Sequence, residues 1–262
     1  MKFGVIICLV AAVIASSAQT SNRDDSGDAC GKGMLFKVHN IVAWASHSSV
    51  SAFFFNSGLA IDADGAFKAY HPQNRPGLDS LAHAGHPGEW WAVVTDTQTP
   101  EGRPVVQQKS DPAPGYYISM TSLVDPNNKN WQDPHKYVDS MKIPYIALSP
   151  RALKFARLGD FATVVNLQNG KISGAIVADT IDPSLPLGEG SIALAKALGI
   201  DSDPRTGGRE RQVIFYVVYP HSGNGTPRTV EDIMANSQRL FESWGGLDKL
   251  NACAPITVPS KK

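Results

Sequence analysis

Asp179 and Glu189 are the residues with the most direct chemical potential in this chain. Asp179 follows the apolar run Ile172 to Ala178, which puts a carboxyl at a strand end. Glu189 lies between Gly188 and Gly190, at the entry to a helix expected from about Glu189 to Leu198. There the helix dipole and free N–H groups would favour the charged carboxylate. One acid and one base held across a bond is the equipment that hydrolyses a glycosidic linkage. The plainer reading is that acidic residues are common where strands end and helices begin. A second pair, Asp62 and Asp64, stands in Asp62-Ala63-Asp64-Gly65. An EF-hand loop begun at Asp62 needs Gly at its sixth position and Glu at its twelfth, where the chain has Phe67 and Gln73. That leaves either an Asx-turn closing a hairpin or a contact to a polar substrate.

Other chemistries are excluded by what is missing. There is no Gly-x-Ser-x-Gly elbow for a hydrolase serine. Neither Gly31-Lys32 nor Gly170-Lys171 is followed by Ser or Thr, so there is no phosphate loop, and the Gly-x-Gly pairs at 31, 188 and 223 lack a third glycine. His83, His86 and Glu89 are interrupted by Gly85, Pro87 and Gly88, so no regular element presents them together as metal ligands. The reading assigns no metal and no cofactor. Lys+Arg and Asp+Glu both count 24, and a net charge of zero argues against nucleic acid or a membrane surface as partner.

The elements that must position these groups are short. At 262 residues and 42% apolar, the chain suits one large domain. Strand-like runs between turn signals occur at Val50 to Phe55, Trp90 to Thr95, Tyr116 to Met120, Tyr145 to Leu148 and Gln212 to Tyr219. Phe161 to Asn166 and Ile172 to Ala178 form an expected hairpin around Asn169-Gly170. A second helix is expected from Thr229, its cap, to Trp244, with Gly245-Gly246 as the stop and Val230, Ile233, Met234, Leu240, Phe241 and Trp244 along one apolar face. The fold class is mainly β (α+β), with a few helices packed on the strands.

The first residues set the compartment. Lys2, the apolar run Phe3 to Ala15 and the small residues Ser16 and Ala18 describe a secretory signal peptide cut after Ala18; 13 apolar residues are too few for a membrane span. Its removal leaves Cys30 and Cys253, which in an oxidising compartment are expected to pair. The expected organisation is a signal peptide over 1–18, a tail over 19–34, a single domain over 35–253 and a C-terminal tail over 254–262.

Five stretches in order, AIDADGAFKAYH (60–71), GYYISM (115–120), LGDFA (158–162), ADT (178–180) and GEGSIALA (188–195), resemble glycoside hydrolase family 75, the chitosanases. The resemblance extends over about residues 35 to 250, with these stretches between 60 and 195. The resemblance implies a six-stranded β-barrel of double-psi type. It also implies an endo-acting, inverting hydrolase of β-1,4-linked glucosamine chains, whose essential carboxylates match Asp179 and Glu189; the mature protein is expected to be secreted and monomeric. Where the family continues Asp-Thr-Asn or Asp-Thr-Gly, this chain has Asp179-Thr180-Ile181. Asp179 beside an apolar strand is expected as the acid and Glu189 as the base, the reverse remaining open. A cationic polymer calls for acidic contacts, for which Asp62, Asp64 and Asp160 are candidates, with Tyr70 in the first stretch. Trp90, Trp91, Tyr116 and Tyr117 offer sugar-stacking faces, at least half of them expected in the core. Two alternatives stay open: a hydrolase of another amino-sugar polymer, and a non-catalytic polysaccharide-binding domain.

Overall fold

The computed structural model describes residues 30, 33–46 and 49–254. The expected signal peptide lies outside the described residues, as do all of the two tails except Cys30, Gly33, Met34 and Ala254.

Ten strands follow in chain order: β1 (Gly33–Val38), β2 (Ile41–Ser46), β3 (Ala52–Asp62), β4 (Gly85–His86), β5 (Glu89–Trp90), β6 (Tyr145–Leu148), β7 (Phe161–Asn166), β8 (Ile172–Thr180), β9 (Glu189–Ser191) and β10 (Arg209–Val218). The helices are α1 (Ile192–Ala197), α2 (Val230–Trp244) and α3 (Gly246–Cys253). Six strands close on themselves in the order β3-β10-β7-β8-β6-β9, with β9 pairing back to β3. This is the expected mainly-β, six-stranded barrel with a few helices. The β6–β8 and β3–β9 pairs are parallel and the other ring pairs antiparallel. The β1–β2 hairpin extends the sheet from β3.

β6, β7 and the second half of β10 read as nearly continuous apolar runs because both of their faces are covered. β7 is buried at all six positions. Alternate residues divide between two clusters, one containing Phe53, Phe55, Ile146, Val164, Val177 and Tyr216. The other sets Phe54, Ile176, Phe215 and Val217 against Ile233, Leu240, Phe241 and Trp244 of α2. Thr229 caps α2 by accepting from Asp232 N at 3.2 Å, and Gly245 ends it at φ 125°. The β7–β8 hairpin turns with Gly170 at φ 73°.

Two expectations are corrected. The first helix begins at Ile192, not Glu189, because Ser191 is the better cap: its Oγ accepts from Leu194 N at 3.1 Å. Trp90 to Thr95 and Tyr116 to Met120 contain only Trp90, the second residue of β5, and isolated bridges such as Val93–Ser119 and Val106–Tyr117. Their hydrogen bonds run between loops. Cys30 and Cys253 form the expected disulfide, Cα atoms 5.2 Å apart across 223 residues of sequence.

Candidate active site

One row of paired residues crosses four strands. Ala147 of β6 pairs with Asp179 of β8 on one side and Glu189 of β9 on the other, and Glu189 pairs onward with Ala60 of β3. Directly paired residues project to the same face of a sheet. The row Ala60–Glu189–Ala147–Asp179 therefore presents two carboxyls with only a methyl group between them. Neighbouring strands lie roughly 4.8 Å apart, which sets the two acidic backbones about 10 Å apart. A register shift at Ile146/Ala147, where Ile146 faces Val177 and Ala147 faces Asp179, leaves Ala178 as an extra residue and brings Asp179 into the row.

The glycines around Glu189 let so short a strand wedge between its neighbours. A Cβ on Gly188, at φ 114°, would meet Ser57 Oγ at 2.5 Å and Gly58 O at 2.7 Å. One on Gly190 would meet Tyr145 O at 2.8 Å. Ser191 anchors the end of the strand, its Oγ also accepting from Tyr145 N at 3.0 Å.

The end of β3 adds two more acids. Asp62 Oδ1 accepts from Asp64 N at 2.7 Å, so the pair does make an Asx-type turn. Tyr70 donates its hydroxyl to Asp64 Oδ1 at 2.6 Å, and Tyr145 donates to the Asp64 carbonyl at 3.0 Å. One carboxyl oxygen each from Asp62, Asp64 and Asp179 lies within 4.8 Å of the others. The turn and the chemical cluster are the same feature. Three hard oxygen donors at this spacing are of the type that takes a divalent cation, and protons neutralise the same charge.

No ion pair among the described residues reaches Asp62, Asp64, Asp179 or Glu189. Burial without a counter-charge disfavours the ionised forms, and each acid adds to the load on the others. Burial, with the Asp79 charge in support, pushes Asp62 up to about 6. Burial and the Asp62 charge push Asp179 up to about 7, against the pull of Ser122 and Thr180. Asp64 and Glu189 rise well above the ordinary carboxyl range for the same two reasons. The two members of the row differ in their surroundings. Asp179 Oδ1 accepts from Ser122 N at 3.1 Å, Ser122 Oγ at 2.7 Å and Thr180 N at 2.7 Å, bonds that favour its anion. The factors acting on Glu189 all raise its pKa. The helix-terminus argument for an ionised Glu189 fails because Glu189 is a strand residue.

The remaining sequence candidates divide. Tyr70 is 2% exposed, which makes it a brace for Asp64 rather than a sugar contact. Asp160 is completely buried: its oxygens accept from Arg157 N, His221 N and Gly223 N at 2.9–3.0 Å, so it ties two turns together. His83 and His86 have separate partners, Asp79 at 2.9 Å and Glu89 at 3.4 Å. Trp90 is buried and Trp91 is 54% exposed. Sequence reasoning missed Ser122, Tyr145 and Asp79. Tyr145 stood in a recognised strand, but nothing local marked any of the three as neighbours of the acids. No known protein family matches the chain, and neither does any curated protein.

Proposed function

We propose that the protein is a secreted, endo-acting chitosanase that cleaves β-1,4 bonds between glucosamine units with inversion. The observation that carries this reading is the cross-strand row, in which Asp179 and Glu189 flank Ala147 on one face of the barrel. Side chains rising from backbones about 10 Å apart suit the roughly 6.5–9.5 Å that an inverting pair needs for a bond and a water. The resemblance of the ordered stretches to family 75 supports the same pair.

Their surroundings favour the reverse of the roles expected from sequence. Glu189, with its proton held by burial and neighbouring negative charge, donates to the glycosidic oxygen. Asp179, with three hydrogen bonds on Oδ1, is the anion that activates water on the opposite face of the sugar ring. Asp62, pushed only to about 6, supplies negative charge to meet the substrate ammonium groups, and Asp64 beside it adds a hydrogen-bonding carboxyl. As those groups arrive they offset the unpaired charge of the site.

The test is reducing-sugar release from highly deacetylated chitosan by the wild type, Glu189→Gln and Asp179→Asn. The wild type should release oligosaccharides whose first-formed anomer is inverted, and each variant should lose at least about a hundredfold in rate. Hydrolysis that survives both substitutions would remove the pair from the mechanism. An inert wild type would remove chitosan as substrate.

A further inference from the structure

We infer that His83 and the indole of Trp91 form a glycan-binding subsite on the rim of the acidic site, gripping a sugar unit beyond the pair being cleaved. This rests on the hydrolase reading for its substrate class.

The subsite is built on the segment that follows the acidic turn. Trp91 is the most exposed of the described Phe, Tyr and Trp residues, at 54%, yet it is held in place. Its Nε1–H donates to the His83 carbonyl at 2.8 Å, and the His86 ring meets it edge-on with centroids 6.2 Å apart. The backbone beneath is also fixed, Trp91 N and Ala92 N both donating to Ala84 O at 3.1 and 3.2 Å. A fixed and uncovered indole face is what the apolar face of a pyranose ring stacks on, and it also attracts an ammonium group.

His83 supplies the polar partner. Both oxygens of Asp79 meet its Nδ1, at 2.9 and 3.0 Å, while the side chain is 60% exposed. Asp79 is itself only 3% exposed, and Ser80 N donates to its Oδ1 at 2.6 Å. Arg205 braces the same loop by donating to the carbonyls of Asn74, Gly77 and Asp79 at 2.8, 3.2 and 2.6 Å. With Nδ1 engaged by the Asp79 carboxyl, Nε2 is the ring nitrogen left to meet a ligand. That fits the hydroxyl and amino groups of a glucosamine unit.

Two links place this rim at the site. Gly65 N, next to Asp64, donates to Ser119 Oγ at 3.0 Å, and that hydroxyl donates to Ala92 O at 3.1 Å. The residue after Trp91 is therefore one side chain away from the acidic turn. On the other side, the Asp79 charge is felt by both Asp62 and Glu189.

The experiment titrates a glucosamine hexamer into Glu189→Gln, which prevents cleavage, and reads affinity by calorimetry. Trp91→Ala in that background should weaken binding about tenfold, the equivalent of one good aromatic contact, and Trp91→Phe should recover most of it. His83→Ala should weaken it about fivefold. In the otherwise wild-type enzyme both changes should raise KM and leave kcat within about twofold, with an unchanged melting temperature. Unaltered hexamer affinity in both alanine variants, beside an active wild type, overturns the subsite and leaves the hydrolase reading standing. If the wild type is inert on chitosan, the titration is repeated with N-acetylated and cellulose-derived hexamers. A loss at Trp91→Ala there retains a glycan platform of different specificity; no loss, or no binding at all, overturns it.

Discussion

Asp62 carries no hydrogen for the proposed reaction, yet its charge raises every other acid of the cluster. Asp62 titrates at about 6 and Asp179 at about 7 when folded, whereas an unfolded aspartate titrates near 3.8. Between about pH 4 and 7 the folded chain therefore binds more protons than the unfolded chain, and stability falls as pH rises through that window. Asp62→Asn should raise the melting temperature at pH 8 and leave it unchanged at pH 3, where the group is protonated in both states. Thermal unfolding at the two pH values decides this, and an equal shift at both would mean that the charge is not the cause. The same charges shape the rate. For the free enzyme, kcat/KM on a soluble glucosamine oligomer should climb with pH towards about 7 as Asp179 ionises, then fall as Glu189 loses its proton. Asp62→Asn should move the rising limb to lower pH, and a limb that stays put would exclude Asp179 as the base. Asp179 and Glu189 were legible in the sequence because one ends an apolar run and the other sits between glycines. The electrostatic state of Glu189 was not, since Ser191, two residues on, takes the cap and leaves Glu189 in a strand. Ser122, which bonds Asp179 from 57 residues away, had no local signature.

At the scale of elements, the site depends on the three-residue β9 fitting between β3 and β6. Gly188 makes this possible, because its positive φ and the closeness of Ser57 and Gly58 leave no room for a side chain. Gly188→Ala should cost about 1–3 kcal/mol of stability and displace Glu189 from its row. Denaturant unfolding measures the first effect and turnover the second; full activity in a destabilised variant would mean that the row tolerates movement of β9. Strands buried at every position, β6 and β7, were found from sequence with their observed bounds. β3 was seen only as far as Phe55, because Asn56-Ser57-Gly58 reads as a turn signal. The strand passes through it because Gly58 admits the close approach of the Arg209 carbonyl, where the β3–β10 register shifts. The pairs at 93–119 and 106–117 show the converse error, in which β-rich sequence is used in loops that cover the barrel.

For the molecule as a whole, the disulfide joins Cys30, ahead of β1, to Cys253 at the end of α3, and so encloses every element of the barrel. That pairing was legible once the expected signal peptide, with Cys8, is set aside and two cysteines remain, whereas closure of the ring needed β9, which is too short to announce itself. A crosslink spanning 223 residues limits the unfolded chain and stabilises the fold by about 3–5 kcal/mol. The acidic row draws on residues 60 to 189, and α3 packs on α2, which in turn packs on β7 and β8. The double variant Cys30→Ser/Cys253→Ser should therefore melt several degrees lower, yet retain wild-type turnover on glucosamine oligomers at a temperature where it stays folded. Thermal unfolding with and without a reductant, beside activity at 25 °C, separates the two effects. Reductant should lower the melting point of the wild type and leave that of the double variant unchanged. Turnover lost while the variant is still folded would mean that closing the chain ends also holds the distant barrel strands in register, so that the crosslink shapes the site as well as stabilising the fold.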